Sequence, residues 1–210
     1  MLSPVYRKLF LLISLAILFA GPAYAEVQKI GPNLYVAGVP SEQFEYYAAP
    51  SQAGRQRQTN WCWAATVQMV LNYHGLYVKQ EEIVQRIYGA QIDRPASPAQ
   101  ILAALSGWAP DTRGRYSSIQ ASPYTISASQ IVQDLSNRWP LIVGLKTAKG
   151  GGHAVVLTAI YYSMDQRNNP VFQRVVIRDP WPGHPSRQEL TWTEFQNRLT
   201  FMSHVYVQRH

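Results

Sequence analysis

Cys62 is the only cysteine in the chain, and it sits where a thiol would react. Positions 62, 65, 66, 69, 70 and 73 share one face of a pattern that begins at Trp61 and stops at Gly75. This spacing predicts a helix with the thiol in its first turn. Unpaired backbone N–H groups and the helix dipole favour negative charge there, and a thiol so placed gains thiolate character. A thiolate is a nucleophile for covalent catalysis, and it needs a base. Of the histidines, His74 falls in the last turn of the same helix, too far along the axis to touch Cys62, and reads as a cation at a helix C-terminus. His210 ends the chain, His204 lies in a late strand, and His184 sits in a Pro/Gly loop as a weak candidate. His153 differs. It follows three glycines, which allow close approach of backbone or substrate, and it opens the apolar run 154–160.

The segment 165–170 is rich in turn residues and should fold that run back onto 171–177 as a hairpin. A hairpin symmetric about residues 166–167 places position 179 or 180 opposite position 153, and position 179 is aspartate. A carboxylate there would orient the imidazole and stabilise its protonated form. Taken alone, the pair also fits an ordinary strand-end salt bridge.

The elements that must position these groups read as helices first and strands second. Residues 26–60 form an extended leading segment with a short strand at 33–38. A second helix follows at 79–88, and a third opens at the capping box Ser97-Pro98-Ala99-Gln100 and runs to Leu105. Ser127-Ala128-Ser129-Gln130 repeats the capping device before 131–137. The stretches 141–145, 153–162, 171–177 and 202–207 are β-branched or aromatic and read as strands, with one short helix capped at Thr191 before the last. This order predicts an α+β fold of two lobes or layers: a helical lobe over 61–138 and a β lobe over 139–210.

Composition bounds the rest. Of the 210 residues, 47% are hydrophobic and 15% charged, so a packed core is expected and wholesale disorder is not. One cysteine allows no intrachain disulfide framework and no multi-cysteine zinc site, and no cofactor or metal is expected. At the N-terminus, Arg7 and Lys8 precede a short apolar run that Gly21-Pro22 ends, and Ala23-Tyr24-Ala25 follows. That is a signal-peptide pattern over residues 1–25, too short for a spanning helix. The remaining 26–210 is expected to be one exported domain, periplasmic or extracellular, monomeric and without a stable membrane anchor. The formal charge of +7 is scattered and no nucleic-acid motif appears, so a nucleic-acid partner is not expected.

The segment Gln56-Arg57-Gln58-Thr59-Asn60-Trp61-Cys62-Trp63-Ala64-Ala65 resembles the active-site segment of papain-like cysteine peptidases, and its Trp-Cys-Trp-Ala-Ala the compact bacterial secreted effector branch. Gly152-His153-Ala154-Val155 resembles the family's histidine strand, and Asp179-Pro180-Trp181 its Asn-x-Trp segment with Asp for Asn. The resemblance implies a papain-like two-lobe fold with a central catalytic helix and an antiparallel β-sheet or barrel lobe. It implies a secreted endopeptidase acting on protein or peptide substrates through a thioester. Cys62 would be the nucleophile, His153 the base and Asp179 its orienting acid. Gln56 would be the oxyanion donor with Gln58 and Asn60 as backups, and Trp181 a shield, while Trp63 is expected to be core. Cys62 and His153 are closer in sequence than the roughly 130 residues of papain itself. The same groups would also serve a cell-wall peptide amidase or an acyl transferase, and the fold could carry a non-catalytic binding domain.

Overall fold

The runs 141–145 and 154–157 are apolar on both faces, and the architecture explains why. The computed structural model describes residues 27–48, 54–108, 117–123 and 127–209, so the signal-peptide segment and His210 lie outside the described residues. Strand β4 (Leu141–Lys146) pairs antiparallel with β5 (Gly152–Met164). Alternate residues of both strands go to opposite cores. Ile142, Ala154 and Val156 join the helical core, while Leu141, Val143, Leu145, Val155 and Leu157 join a second core on the other face. A sheet covered on both sides has no polar face to display, so these strands read as continuous apolar runs.

The long β5 bends through the centre of the sheet. Along one edge it pairs first with β4 and then with β2 (Leu34–Gly38), and along the other with β6 (Pro170–Arg178). Beyond these lie β1 (Val27–Gly31), β7 (Arg187–Thr191), β8 (Leu199–Arg209) and β3 (Ser117–Pro123), and the ladders join all eight into one curled antiparallel sheet. The leading segment is therefore more than extended chain. It supplies the β1–β2 hairpin and helix α1 (Ser41–Ala48). Asn33 ties that hairpin down, donating to Met164 O at 2.9 Å and accepting from Met164 N at 3.1 Å. Strand β3, from within the stretch read as helical, crosses to pair with β8.

On the helical side, α2 (Cys62–Tyr73) is enclosed, with every residue from Trp63 to Leu71 buried. The one-faced pattern expected from sequence gives way to burial all round, because α1, α3 (Gln80–Tyr88), α4 (Pro98–Leu105) and the sheet all pack on α2. Helix α4 starts with the expected reciprocal cap: Gln100 N donates to Ser97 Oγ at 3.3 Å and Ser97 N to Gln100 Oε1 at 2.9 Å. Helix α5 (Ala128–Ser136) keeps only half of that device. Ser127 Oγ caps Gln130 N at 3.4 Å, but the Gln130 side chain turns to Asp134 at 3.0 Å. Helix α6 (Trp192–Arg198) is capped by Thr191. Among the described residues, no helix is long and apolar enough to cross a membrane.

Candidate active site

Cys62 is the first residue of α2, after Trp61 at the cap position. Two buried indoles fix that helix start: Trp61 donates to Ile92 O at 2.9 Å and Trp63 to Arg94 O at 3.0 Å. Trp63 is core, as its sequence context suggests, and Trp61 is core as well. The half-buried thiol shares a cleft of about 180 Å³ with His153, Pro95, Ala96, Gly144 and Phe201.

His153 enters this cleft as the second residue of β5. Gly150 and Gly151 have φ of +76° and +114°, values that L-residues rarely adopt. Two of the three glycines therefore serve the β4–β5 turn, which Thr147 N closes on Gly151 O at 3.0 Å. All three glycines have open space around them, but Gly152 alone lacks a positive φ, so room beside the histidine is the reason left for it. His153 Nε2 bonds Asp179 Oδ1 at 2.6 Å, which leaves Nδ1 for the thiol. Burial favours the neutral ring, but hydrogen bonds to Asp179 and Cys62 and the charges of both raise His153 from 6.5 to about 9.

The β5–β6 hairpin is centred on residue 167, half a residue to one residue later than the expected pairing needs, since Met164 faces Pro170, and its ladder ends at Val156–Arg178. His153 and Asp179 are therefore not register partners. They meet just past the end of the ladder, where the two strands still lie side by side. Burial alone would raise the Asp179 pKa, yet the hydrogen bond and charge of His153, with the Trp181 N–H and His184, lower it to about 2. Four N–H donors converge on this carboxylate. Oδ1 receives His153 Nε2 at 2.6 Å and Trp181 N at 2.8 Å, and Oδ2 receives His184 Nδ1 and Gln188 Nε2, each at 2.8 Å.

The loop before Cys62 and the loop after β6 are clasped together. The Arg55 guanidinium donates to Asp179 O at 2.8 Å and to Trp181 O and His184 O at 3.0 Å. Gln56 N donates to Pro180 O at 2.9 Å. Beneath the first loop, buried Gln80 accepts from Arg57 N at 3.1 Å and donates to Arg55 O at 2.8 Å and Gln68 Oε1 at 3.0 Å.

The oxyanion candidates lie close by but are engaged elsewhere. Gln56 is buried, and its Nε2 donates to Gln58 O at 2.9 Å and Thr59 O at 2.8 Å, so both amide hydrogens point at loop carbonyls. Gln58 is exposed and contributes that carbonyl. Asn60 is held by Asp93, through its backbone N at 2.7 Å and its side chain at 3.4 Å. Trp181 is 37% exposed, with its ring laid over Gly183, where a Cβ would stand 3.0 Å from Nε1. Arg55 and Gln188 carry no sequence signal. His184 does carry one, because Pro182-Gly183 marks the turn that brings it back to Asp179. Among the described residues, no group of three or more His, Cys, Asp or Glu side chains is arranged to hold a metal ion.

Comparison with known proteins bears on the family and the fold. The profile of the family described as papain-like cysteine protease AvrRpt2 matches residues 43–200, about three quarters of the chain. No curated protein sequence matches the chain. Among solved structures, the peptidase domain of Streptococcus ComA, a bi-functional ABC transporter of a quorum-sensing pathway, aligns with TM-score 0.51 and 14% identity over 74% of this chain and 96% of that one. A double glycine motif protease from an AMS/PCAT transporter, in complex with the leader peptide, aligns with TM-score 0.45 and 16% identity, over 89% of this chain and 94% of that one. At such identity the ComA likeness is one of fold, and that fold is the papain-like one. The chain belongs to the papain-like cysteine protease family and is a cysteine peptidase.

Proposed function

We propose that this chain is an exported cysteine endopeptidase in which Cys62 is the nucleophile, His153 the proton carrier and Asp179 the group that orients and charges the imidazole. The observation that carries the reading is the 2.6 Å bond from His153 Nε2 to a buried carboxylate, with Cys62 adding to the charge held on the ring. A histidine held protonated up to about pH 9 beside a thiol at a helix start supports a thiolate–imidazolium pair as the resting form.

From that pair the reaction follows. The Cys62 thiolate attacks the carbonyl carbon of a peptide bond, and the carbonyl electrons move to oxygen. The backbone N–H of Cys62, at the unpaired end of the helix, faces the developing oxyanion. Gln56 joins it by swinging one amide hydrogen from a loop carbonyl to the substrate oxygen, with a donor worth about 3 kcal/mol at the transition state. As the intermediate collapses, His153 Nδ1 gives its proton to the leaving nitrogen, the C–N bond breaks, and a thioester remains on Cys62. The neutral imidazole then takes a proton from water as hydroxide attacks the thioester. The acid leaves and the thiolate–imidazolium pair is restored. Asp179 holds the ring throughout. Residues 1–25 are proposed to direct export, which places the mature domain in the periplasm or the medium.

The test uses a fluorogenic peptide library with Cys62→Ala and His153→Ala beside the full-length protein. Turnover by the wild type with loss of at least a thousandfold in both variants is expected. Equal turnover by Cys62→Ala and the wild type would end the reading.

A further inference from the structure

Four donors on one carboxylate are more than a His–Asp pair requires, and one of them comes from a ring that is mostly exposed and otherwise meets the Trp181 indole at 6.5 Å between centroids. The His184 ring is 56% exposed, yet its Nδ1 reaches Asp179 Oδ2 at 2.8 Å, and the carboxylate it meets is only 5% exposed. Its backbone is built into the same clasp as the acid itself: His184 N bonds Trp181 O at 3.1 Å, and Arg55 holds His184 O at 3.0 Å. Gln188, from β7, brings the second donor to the same oxygen at 2.8 Å. With two donors on each oxygen, the plane of the carboxylate is fixed.

We infer that His184 is a positioning residue for the Cys62–His153 pair: its Nδ1–H, together with Gln188, anchors the outer oxygen of Asp179 so that the inner oxygen faces His153 Nε2. The inference rests on the peptidase reading of the site. A carboxylate anchored on one oxygen loses the freedom to turn about its last side-chain bond, and the bond it offers His153 becomes the only one geometry allows. The charged groups facing His184 are Asp179, with His153 and then Cys62 behind it, and the Arg55 guanidinium on its carbonyl side.

Alkylation of Cys62 by iodoacetamide, followed from pH 4 to 10, reads the thiolate–imidazolium pair without any substrate turnover, and one cysteine makes the label unambiguous. His184→Asn keeps an N–H near the Nδ1 position, whereas His184→Ala removes it. His184→Ala is expected to slow alkylation at pH 6–7 by about three- to tenfold, the scale of one hydrogen bond to a charged group, and to move the acid limb of the profile, where the thiolate forms, to higher pH. His184→Asn should stay close to wild type. Gln188→Ala, which removes the other donor from the same oxygen, should repeat the shift in a second background and covers the case in which His184→Ala fails to fold. Wild-type alkylation in folded His184→Ala, or in Gln188→Ala should His184→Ala not fold, would overturn the inference. So would equal slowing in His184→Ala and His184→Asn. Failure of the peptidase reading would instead appear as normal alkylation profiles with no peptide turnover in any variant.

Discussion

Replacing Asp179 by Asn removes a charge while keeping a shape, which makes it the sharpest probe of how His153 stays protonated. The amide oxygen of Asn keeps the place that receives His153 Nε2 and the Trp181 N–H, and its NH2 would face His184 and Gln188, side chains able to present an acceptor by changing tautomer or flipping. The ring is raised from its ordinary 6.5 to about 9, which is roughly 3 kcal/mol in favour of the imidazolium. Burial works against that displacement, and the Asp179 hydrogen bond is the foremost of the groups that produce it. Loss of the carboxylate charge should therefore remove at least half, bringing the alkaline limb of kcat/KM from near pH 9 to about pH 8 or below. At pH 8.5 the variant should fall about fivefold further behind wild type than at pH 6, where both rings are protonated. The assay is kcat/KM for a fluorogenic peptide from pH 5 to 10. A limb unmoved near pH 9, whether or not the whole profile drops, would refute the claim that the charge of Asp179 sustains the imidazolium.

The same ion pair, counted once, gives stability a pH window. Asp179, lowered from 3.8 to about 2, stabilises the fold above pH 3.8 and loses that as pH falls through 2; His153, raised from 6.5 to about 9, stabilises below pH 6.5 and loses that as pH rises through 9. Urea unfolding should therefore show a contribution on the order of 2–3 kcal/mol between about pH 4 and 6.5 that is absent in Asp179→Asn; an identical pH dependence in both proteins would contradict it. Arg55→Lys should weaken the clasp on residues 179–184, because an ammonium cannot span the three carbonyls that the guanidinium fork reaches. It is expected to cost about 1–3 kcal/mol and to speed amide exchange in residues 179–188, with unchanged exchange as the contrary result. Gly144→Val should narrow the cleft, since a Cβ there would lie 2.9 Å from Thr200 Oγ1 and 3.3 Å from Phe201 Cβ. KM for peptides should rise while alkylation of Cys62 by small iodoacetamide stays the same, and a KM equal to wild type would show that substrate does not use this wall.

Elements with strong local signals were legible in the sequence. Helix α4 announces itself through Ser97, Pro98 and Gln100, and the buried strands β4 and β5 through unbroken apolar runs. The elements that escaped are those whose stability comes from a neighbour. Strand β1 is a mostly exposed edge, and β7 (RQELT) is largely polar and held by its ladder to β6. Strand β3 pairs with β8, some eighty residues away, which no local pattern reveals. At the site, the hairpin placed Asp179 beside His153 although its centre was off, because an aspartate one residue past the ladder still reaches a histidine at the start of the facing strand. The conformation of Gln56 was not legible. A six-residue offset says where the residue is, and the carbonyls of Gln58 and Thr59 decide where its amide points. The Arg55 clasp was equally hidden, since a cation bound to three backbone carbonyls has no partner side chain to search for.

If Cys62 carries the acyl group, that group can be caught on it. Intact-protein mass spectrometry after millisecond mixing with an activated peptide ester and acid quench should find a mass increase equal to the acyl part of the substrate. Peptide mapping should place the increase on Cys62, and it should vanish as hydrolysis completes. Hydrolysis at full rate with no adduct on Cys62, or an adduct mapping to another residue, would contradict the proposed chemistry.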